Sequence, residues 1–377
     1  MRIGIIRERS PSERRVPLVP DSVKRLSQKK HTVVVEAGAG AGSLITDDEY
    51  RAAGAEVVDS RDAVIATSDI LVRLQIPAEE DISALRQGMA LCAPLLPKVN
   101  GNLLSALSAR GVDAVAVDQI PRTTVAQMMD VLSSQATCAG YYAVLAAAAA
   151  LPRFFPMLIT AAGTIAPSKV LVLGAGVAGL SAIGTARRLG AVVEAFDVRR
   201  VVKEQVESLG AKFVEVDPQE DAQTAGGYAK EVSEEYKRKQ AEALAKHTAK
   251  SDVVICTALI PGRRAPVLVT ADMVAKMKPG SVIVDLAAEQ QGNCELTEPG
   301  TTVVKSGVTI MGALNLPSSV AVHASQMYSR NVERLLLHLS KDGALQLAMD
   351  DEIAQGCVVV RGGQVLLGQP APAGGSR

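Results

Sequence analysis

Short apolar runs alternate with polar segments of helical spacing through residues 1–120. The apolar runs predict strands at Arg2–Ile6, Thr32–Glu36, Glu56–Val58, Ile70–Leu74, Met89–Leu91 and Ala114–Asp118. Polar stretches such as Ser22–Lys29 and Asp47–Ala53 lie between these runs and predict helices. Repeated βα units of this kind indicate a parallel sheet with helices on both of its faces.

A second series of the same kind begins at Lys169. Its predicted strands are Lys169–Leu173, Val192–Phe196, Phe213–Val216, Asp252–Thr257, Ser281–Leu286 and Val308–Met311. An Ala-rich segment, Met128–Leu151, precedes the series and predicts a long helix that ends at Pro152. After Pro317, helical spacing returns over His323–Leu339, and a last strand is predicted at Cys357–Val360.

These patterns predict an α/β fold with two Rossmann-like domains, each built on a parallel sheet, joined by long helices. A chain of 377 residues exceeds what one hydrophobic core usually supports. We expect a discontinuous first domain, residues 1–135 plus about 318–368, because the C-terminal helix should pack back on it. The second domain is 136–317, and residues 369–377, rich in Pro, Gly and Ala, are expected to be disordered.

A glycine-rich loop directly follows the first strand of the second series. Gly174, Gly176 and Gly179 form a GxGxxG motif, and the helical spacing of Leu180–Leu189 continues from it. In a strand–loop–helix context these glycines allow a tight turn, close approach of a pyrophosphate and helix–strand packing. The free N–H groups at the helix N-terminus favour the phosphates. The loop predicts dinucleotide binding, and the alternative is a structural turn with no ligand.

Asp197 ends the next strand, where an acid that binds the adenosine ribose is expected. A carboxylate there repels a 2′-phosphate, so the sequence predicts NAD(H) rather than NADP(H). Arg199 and Arg200 follow and could weaken that preference, but Asp197 holds the strand end itself.

Composition excludes several other classes of protein. Lys plus Arg and Asp plus Glu are both 40, so no net positive charge indicates nucleic acid as a partner. The five cysteines include no CxxC pair, which indicates reduced thiols rather than disulfides or a zinc site. The most hydrophobic stretch, Tyr141–Leu158, is interrupted by Pro152, Arg153 and Pro156, so direct membrane insertion is not expected.

A proton-transfer residue is hard to find in this sequence. The four histidines, His31, His247, His323 and His338, lie at a strand start or in helical segments and are more readily explained as structural. The densest polar cluster is 122–135, which runs from a strand end towards the long helix. If the segment is helical, Gln127, Asp130 and Ser134 share one face with Ser133 beside them. Such groups could orient a nucleotide, or they could simply cap a helix N-terminus.

The chain resembles the NAD(H)-binding alpha subunit, domain I, of proton-translocating NAD(P) transhydrogenase, and the resemblance covers nearly its whole length. The stretches that carry it are 121–135, 160–164, 203–210, 224–231 and 257–262. The resemblance implies direct hydride transfer between NAD(H) on this chain and NADP(H) on a separate domain III. It also implies a membrane domain that couples the transfer to proton translocation, a homodimer, and a cytoplasmic location, peripheral on the inner face of the membrane.

The resemblance also implies the site residues. Gln127, Arg122, Asp130, Ser133 and Tyr228 would act at the nicotinamide end, with Tyr228 in a mobile loop that closes over the nucleotide. Tyr228 could otherwise be an ordinary surface tyrosine. The positions implied to bind the cofactor are Gly174, Gly176, Val177, Gly179, Asp197, Val198, Arg199, Gly227, Gln127, Met128, Met129, Asp130, Ser133, Ala258 and Leu259.

Two alternatives remain at this point. The N-terminus also resembles alanine dehydrogenase, with Arg15 at its substrate-binding arginine. However, Gln75 stands where that family has a lysine, and Leu95–Pro97 occupies the region of its histidine, so the acid–base groups are missing. The other alternative is an NAD-binding subunit without chemistry of its own.

Overall fold

The computed structural model describes residues 1–216, 233–260, 264–349 and 351–366, and the chain divides into two compact units. One unit comprises Met1–Gln135 and Ser318–Arg377, and the other comprises Ala136–Pro317. The first unit is therefore assembled from both ends of the chain. Its predicted disordered tail lies outside the described residues.

Residues 1–150 alternate strands and helices as the periodicity predicts. The strands are β1 (Arg2–Ile5), β2 (Thr32–Glu36), β3 (Glu56–Val58), β4 (Ile70–Val72), β5 (Ala90–Ala93) and β6 (Asp113–Ala116). The helices are α1 (Pro20–Gln28), α2 (Asp47–Ala52), α3 (Arg61–Thr67), α4 (Glu79–Ala84), α5 (Gly101–Ala109) and α6 (Val131–Ala150).

The middle of the chain supplies a hairpin and the second sheet. Its strands are β7 (Leu158–Thr160), β8 (Gly163–Ile165), β9 (Lys169–Leu173), β10 (Val192–Phe196), β11 (Lys212–Phe213), β12 (Val253–Cys256), β13 (Val282–Asp285), β14 (Thr302–Lys305) and β15 (Val308–Gly312). Its helices are α7 (Val177–Arg188), α8 (Lys203–Ser208), α9 (Glu234–Thr248) and α10 (Ala271–Ala275).

The last part of the chain returns to the first unit. It contains α11 (Ala321–His338), β16 (Ser340–Lys341), β17 (Ala344–Leu345), α12 (Glu352–Cys357), β18 (Val358–Arg361) and β19 (Gln364–Val365). Helix α11 packs its buried face on the core of the first sheet through Tyr328, Val332 and Leu335.

Within the described residues, the first sheet has eight strands in the order β19-β18-β6-β5-β4-β1-β2-β3. Strands β1 to β6 are parallel, while β18 and β19 are antiparallel additions at one edge. Alternate residues of a strand point to opposite faces, and both faces are buried here. Ile3 and Val33 enter one core and Val34 and Leu71 enter the other. This two-sided burial explains why these strands read as continuous apolar runs.

In the part of the chain that the structure describes, the second sheet has seven strands in the order β11-β10-β9-β12-β13-β15-β14. All pairings are parallel except the edge pair β14–β15. Val170 and Val172 of β9 pack on one face, and Leu171 and Leu173 pack on the other. Strand β9 is central, with β10 on one side and β12 on the other, so the direction of winding reverses beside it.

The observed elements differ from the predicted ones at the start of α6 and at several edge strands. The predicted helix Met128–Leu151 begins only at Val131, because Asp130 is extended (φ −74°, ψ 93°) and interrupts it. The antiparallel hairpin β7–β8 and the edge strand β14 have no counterpart in the prediction. These strands bury little, since only side chains such as Leu158 and Val303 are partly buried. Their apolar runs are also shorter than those of central strands such as β9.

Candidate nucleotide-binding site

The carboxyl ends of β9 and β12 mark the place where the second sheet reverses its winding. In open α/β sheets, ligands bind in the crevice at this position. Gly174 directly follows β9, and Thr257 directly follows β12. The glycine loop therefore lies at the sheet position that the fold itself favours for a ligand.

The three glycines of the loop differ in how strongly the surrounding structure requires glycine. Gly174 has a φ of +99°, in the left-handed region that favours glycine. A Cβ on Gly179 would lie 1.8 Å from the carbonyl oxygen of Gly174, so helix α7 could not pack as it does. A Cβ on Gly176 would meet nothing within 4 Å, and its φ is an ordinary −76°. The fold requires Gly174 and Gly179, whereas no contact within 4 Å excludes a side chain at Gly176.

Helix α7 begins at Val177, within the glycine loop, so its N-terminus lies in that loop. No side chain among the described residues caps it. The first N–H groups of an α-helix have no partner within the helix, and they carry partial positive charge. They are therefore available to a pyrophosphate, as the sequence predicts.

Asp197 lies directly after β10 and is connected to the glycine loop. Its Oδ2 accepts a hydrogen bond from the Ala175 N–H (2.8 Å), and its Oδ1 accepts one from the Arg199 N–H (2.9 Å). The Arg199 guanidinium also donates to both oxygens, from Nε (2.9 Å) and Nη2 (2.7 Å). The carboxylate is 8% exposed and fixed in orientation at the end of its strand. The arginine that could have served NADP(H) is thus held by the acid.

Two polar residues that sequence reasoning does not single out hold the other wall of the crevice. Thr257 donates from its hydroxyl to the carbonyl of Gly174 (2.9 Å). Asn293, wholly buried, accepts from the Ala258 N–H (3.0 Å) and donates to the Ala258 carbonyl (2.9 Å). Ala258 and Leu259 were implied by resemblance, and Asn293 fixes the first of them. No local pattern marks Asn293, because its partner lies 35 residues away along the chain.

Asp285 supports this arrangement from the end of β13. It is fully buried, and its oxygens accept from the N–H groups of Ala287 and Cys294 and from the Thr297 hydroxyl. Burial raises the pKa of this carboxyl above its ordinary value. All of its named partners belong to the loop that carries Asn293, so Asp285 orders that loop.

The polar segment 122–135 lies in the first unit, and its geometry corrects the single helical face expected from the sequence. Ala126–Met129 forms a 3-10 helix, and Asp130 separates it from α6. Gln127 and Ser134 therefore belong to different helices. The expected shared face is wrong because the extended Asp130 interrupts the helix between these two residues.

Asp130 instead caps the first turn of α6. Its Oδ1 accepts from the Ser133 N–H (2.9 Å), and its Oδ2 accepts from the Ser133 hydroxyl (2.6 Å). Arg122, Gln127 and Met128 are exposed, while Met129 is 7% exposed and packs in the core. The structure brings Asp130 and Ser133 into contact and leaves the side chains of Arg122 and Gln127 on the surface.

The corresponding crevice of the first sheet, at the carboxyl ends of β1 and β4, is filled by the chain itself. Glu8 accepts from the Leu74 N–H (2.7 Å) and pairs with Arg73, which is 2% exposed and also pairs with Asp81. An internal carboxylate therefore occupies the position at which a ligand would bind. The equivalent edge of the second sheet carries instead the glycine loop and the uncapped N-terminus of α7.

Tyr228 and Gly227 lie outside the described residues. Val198, like Asp197, follows β10 at the edge that carries the glycine loop. Of the histidines, His247 pairs with Glu194 (2.6 Å), His338 pairs with Asp351 (3.1 Å) and His31 contacts Ser340 (3.3 Å). His323 is exposed in the first turn of α11. These positions belong neither to the glycine loop nor to the segment 122–135.

Both parts of the chain match a known family. Residues 4–139 match "Alanine dehydrogenase/PNT, N-terminal domain", and residues 143–368 match "Alanine dehydrogenase/PNT, C-terminal domain". The chain belongs to the alanine dehydrogenase/PNT family. The resemblance and the α/β fold predicted from the sequence are thereby confirmed.

Within this family the chain is more similar to transhydrogenases than to alanine dehydrogenases. It is 48% identical to an NAD(P) transhydrogenase alpha-subunit polypeptide of Rhodospirillum rubrum, over 97% of this chain and 98% of that protein. A transhydrogenase crystal structure from Sinorhizobium meliloti superposes with a TM-score of 0.89 at 46% identity, covering 97% and 100% of the two chains. The alanine dehydrogenase of Mycolicibacterium smegmatis is 30% identical over 94% of this chain and 92% of its own length.

Membership of the alanine dehydrogenase/PNT family implies a site for a nicotinamide nucleotide. The glycine loop around Gly176, together with Asp197, fits such a nucleotide. None of the helices in the described ranges is long and apolar enough to cross a membrane.

Proposed function

We propose that this chain is the NAD(H)-binding subunit of a proton-translocating transhydrogenase and that it exchanges hydride directly with NADP(H) held on a partner domain III. The observation that carries the proposal is the loop at Gly176, where an added Cβ would meet nothing within 4 Å and the uncapped N-terminus of α7 is open to a ligand. The full-length similarity to transhydrogenase alpha subunits points to the same chemistry.

In the second unit, the chain binds and selects the nucleotide. The uncapped N-terminus of α7 would hold the pyrophosphate, and Asp197 would accept hydrogen bonds from the adenosine ribose. For Asp197 to do so, the Arg199 guanidinium has to release at least one carboxylate oxygen. Val177, Val198, Ala258 and Leu259 would line the same crevice edge.

In the first unit, the exposed Arg122 and Gln127 would orient the nicotinamide end, with Met128 and Met129 beside them. Asp130 and Ser133 would act as a hydrogen-bonded pair rather than as separate ligands. The bound nucleotide supplies or accepts the hydride at C4 of its nicotinamide ring. The chain would align the ring and exclude water, a task that needs no proton-transfer residue.

Tyr228 and Gly227 retain the role that the resemblance gives them, a loop that closes over the nucleotide. That closure would gate access and exclude water during the transfer.

The proposed partners are the NADP(H)-binding domain III and a membrane domain that couples hydride transfer to proton movement. The chain would then be held at the cytoplasmic, inner face of the membrane by these partners. A second copy of the chain is also proposed as a partner. The β7–β8 hairpin supports it, because Ile159 is 77% exposed and Met157 and Ile165 are also exposed. Apolar side chains this exposed are typical of a protein interface.

An amino-acid dehydrogenase activity is less well supported. Arg15 is the position that resembles a substrate-binding arginine, and its guanidinium is engaged by both oxygens of Glu13 and by Gln135. Gln75 also cannot serve as an acid or a base.

The test is hydride exchange with purified domain III of a transhydrogenase. The full chain is mixed with domain III, NADH and an NADP analogue of distinct absorbance, and the transfer is followed by stopped flow. Rapid exchange supports the proposal. Tight NADH binding without exchange would indicate a subunit without chemistry of its own, and NADH oxidation by pyruvate with ammonia would indicate the amino-acid dehydrogenase.

A further inference from the structure

A buried ion pair lies near the start of the first unit. Glu13 accepts from Nε of Arg15 (2.8 Å) with one oxygen and from Nη2 (2.7 Å) with the other. The Glu13 side chain is 0% exposed and that of Arg15 is 9% exposed. The desolvation of such a pair largely offsets its attraction, so stability alone does not account for it.

The guanidinium of Arg15 also reaches the long helix. Nη1 of Arg15 donates to Oε1 of Gln135 (2.8 Å), and Nε2 of Gln135 donates to the carbonyl of Ala324 in α11 (3.1 Å). The Gln135 amide is therefore held at both of its ends. Because a guanidinium is planar, the fork with Glu13 fixes the direction in which Nη1 points.

The segment that carries Arg15 is itself attached to the other end of the chain. The Arg14 N–H donates to the Ser318 hydroxyl (2.7 Å), which donates to the Ser12 carbonyl (2.7 Å). The Val16 N–H donates to the hydroxyl of Ser325 in α11 (3.0 Å). Arg15 thus projects from a segment that is hydrogen-bonded on both sides of it.

Gln135 lies in the opening turns of α6, two residues after Ser133. Asp130 caps this same turn by its two hydrogen bonds to Ser133. A shift of Gln135 would therefore shift the backbone that carries Asp130 and Ser133. A displacement of about 1 Å is enough to cost about a hundredfold in rate when reacting groups must be aligned.

We propose that Glu13 and Arg15 are positioning residues for hydride transfer, which act through Gln135 to hold the first turn of α6 in place. This inference rests on the proposed function, since it assigns Asp130 and Ser133 to the nicotinamide end. Glu13 and Arg15 act through Gln135 rather than by contact with the nucleotide. Glu13 orients the guanidinium, and Arg15 transmits that orientation to the helix.

The experiment compares Arg15→Met and Gln135→Met with a matched control, Arg25→Met. Arg25 forms the same kind of ion pair with the buried Glu333 in the same unit, through two hydrogen bonds of 2.7 Å each. All variants are full chains assayed with domain III by single-turnover hydride transfer, NADH titration, thermal unfolding and the anisotropy decay of bound NADH emission.

We expect Arg15→Met and Gln135→Met to slow hydride transfer by about tenfold to a hundredfold, with NADH affinity changed by less than about threefold. The bound nicotinamide should become more mobile in both. Arg25→Met should lower the unfolding midpoint without either effect. The double variant should be no slower than the slower single variant, because both residues act on one path.

Equal transfer rates in Arg15→Met and Arg25→Met would overturn the proposal, as would additive losses in the double variant. A wild-type chain that binds NADH but transfers no hydride would contradict the proposed function instead. The anisotropy decay still decides the positioning role in that case, because unchanged nicotinamide mobility in Arg15→Met would refute it.

Discussion

Asp197 accepts a hydrogen bond from the Ala175 N–H (2.8 Å), which joins the end of β10 to the glycine loop after β9. The proposed ribose-binding acid and the proposed pyrophosphate loop are thus joined by a direct hydrogen bond. Arg199 completes it by donating to both carboxylate oxygens. Under the proposed function, nucleotide preference depends on the balance between this carboxylate and Arg199.

Replacement of Asp197 should relax the preference for NAD(H). In Asp197→Asn the repulsion of a 2′-phosphate is lost and Arg199 is freed to attract it, so NADPH affinity should rise about tenfold or more, which is about 1.4 kcal/mol. Fluorescence titration with NADH and NADPH measures the ratio of the two affinities. Arg199→Ala should change the ratio in the opposite direction.

Asp252→Asn is the control for that measurement, since Asp252 is a buried acid at the amino end of β12 that binds the Lys169 N–H (2.9 Å) and Lys278 (2.9 Å). The ratio of NADH to NADPH affinity in Asp252→Asn should match that of the wild type. Unchanged discrimination in Asp197→Asn would refute the assignment of Asp197 to the ribose.

Gly176→Ala should separate binding from folding. The added Cβ meets no protein atom within 4 Å, so the free energy of unfolding should fall by less than about 1 kcal/mol. The same Cβ would obstruct the pyrophosphate and weaken NADH binding by about tenfold to a hundredfold, the equivalent of about 1–3 kcal/mol of steric conflict. Calorimetric titration and thermal unfolding measure the two effects.

Gly184→Ala, in the interior of α7, provides the comparison, because its Cβ would lie 3.6 Å from an Arg188 side-chain nitrogen, an ordinary contact. It should bind NADH normally. Equal affinity in Gly176→Ala and the wild type would show that the loop does not hold a pyrophosphate closely.

Gln127→Asn should reduce turnover by about tenfold or more with little change in NADH affinity, because a shortened side chain misplaces the group that orients the ring. Steady-state kcat and the dissociation constant for NADH are compared. Gln87→Asn, at an exposed position near the amino end of β5, should change neither. Parallel losses of turnover and affinity in Gln127→Asn would contradict a positioning role.

Asp81 should make the stability of the first unit sensitive to acid. Burial raises the pKa of Asp81, but the hydrogen bond and charge of Arg73, with hydrogen bonds from Arg9 and the Ala78 N–H, together lower it more. The folded pKa of Asp81 therefore lies below the ordinary value. An acid with a lowered folded pKa stabilises the fold above its unfolded pKa of about 3.9, and the contribution is lost as pH falls through the folded value.

Asp81→Asn should therefore cost about 3 kcal/mol at neutral pH, because Arg73 loses a buried partner. The difference from the wild type should shrink as pH falls below about 4 and through the lowered folded pKa of Asp81, because protonation removes its charge interaction with Arg73. Thermal unfolding of both proteins over a range of pH measures this difference in stability. Asp48→Asn, which removes an exposed ion pair with Arg51, should have almost no effect at any pH. A difference that persists undiminished at low pH would exclude this explanation.

The β7–β8 hairpin should control self-association. Ile159→Lys places a charge on the most exposed apolar side chain of the hairpin and should shift the chain from dimer to monomer in sedimentation velocity. Val304→Lys, on the exposed edge strand β14 at 66% exposure, is the matched control and should sediment as the wild type does. A dimer that survives Ile159→Lys would place the interface elsewhere.

The sequence by itself determined the central strands and the glycine loop that joins β9 to α7. Strands buried on both faces must be apolar throughout, so β2, β9 and β10 could be read to the residue. The glycine loop and Asp197 could be located because their chemistry is local, within one βαβ unit. The resemblance that carries the hydride-transfer proposal likewise depends on contiguous stretches.

Only the tertiary structure decided which groups act together. Asp130 had to be seen in its extended conformation to show that it caps α6 and separates Gln127 from Ser134. Asn293 meets Ala258, and Arg15 meets Gln135, across long stretches of chain. Hydrogen bonds between side chains distant in sequence leave no periodic trace, because their geometry depends on how whole strands and helices pack rather than on neighbouring residues.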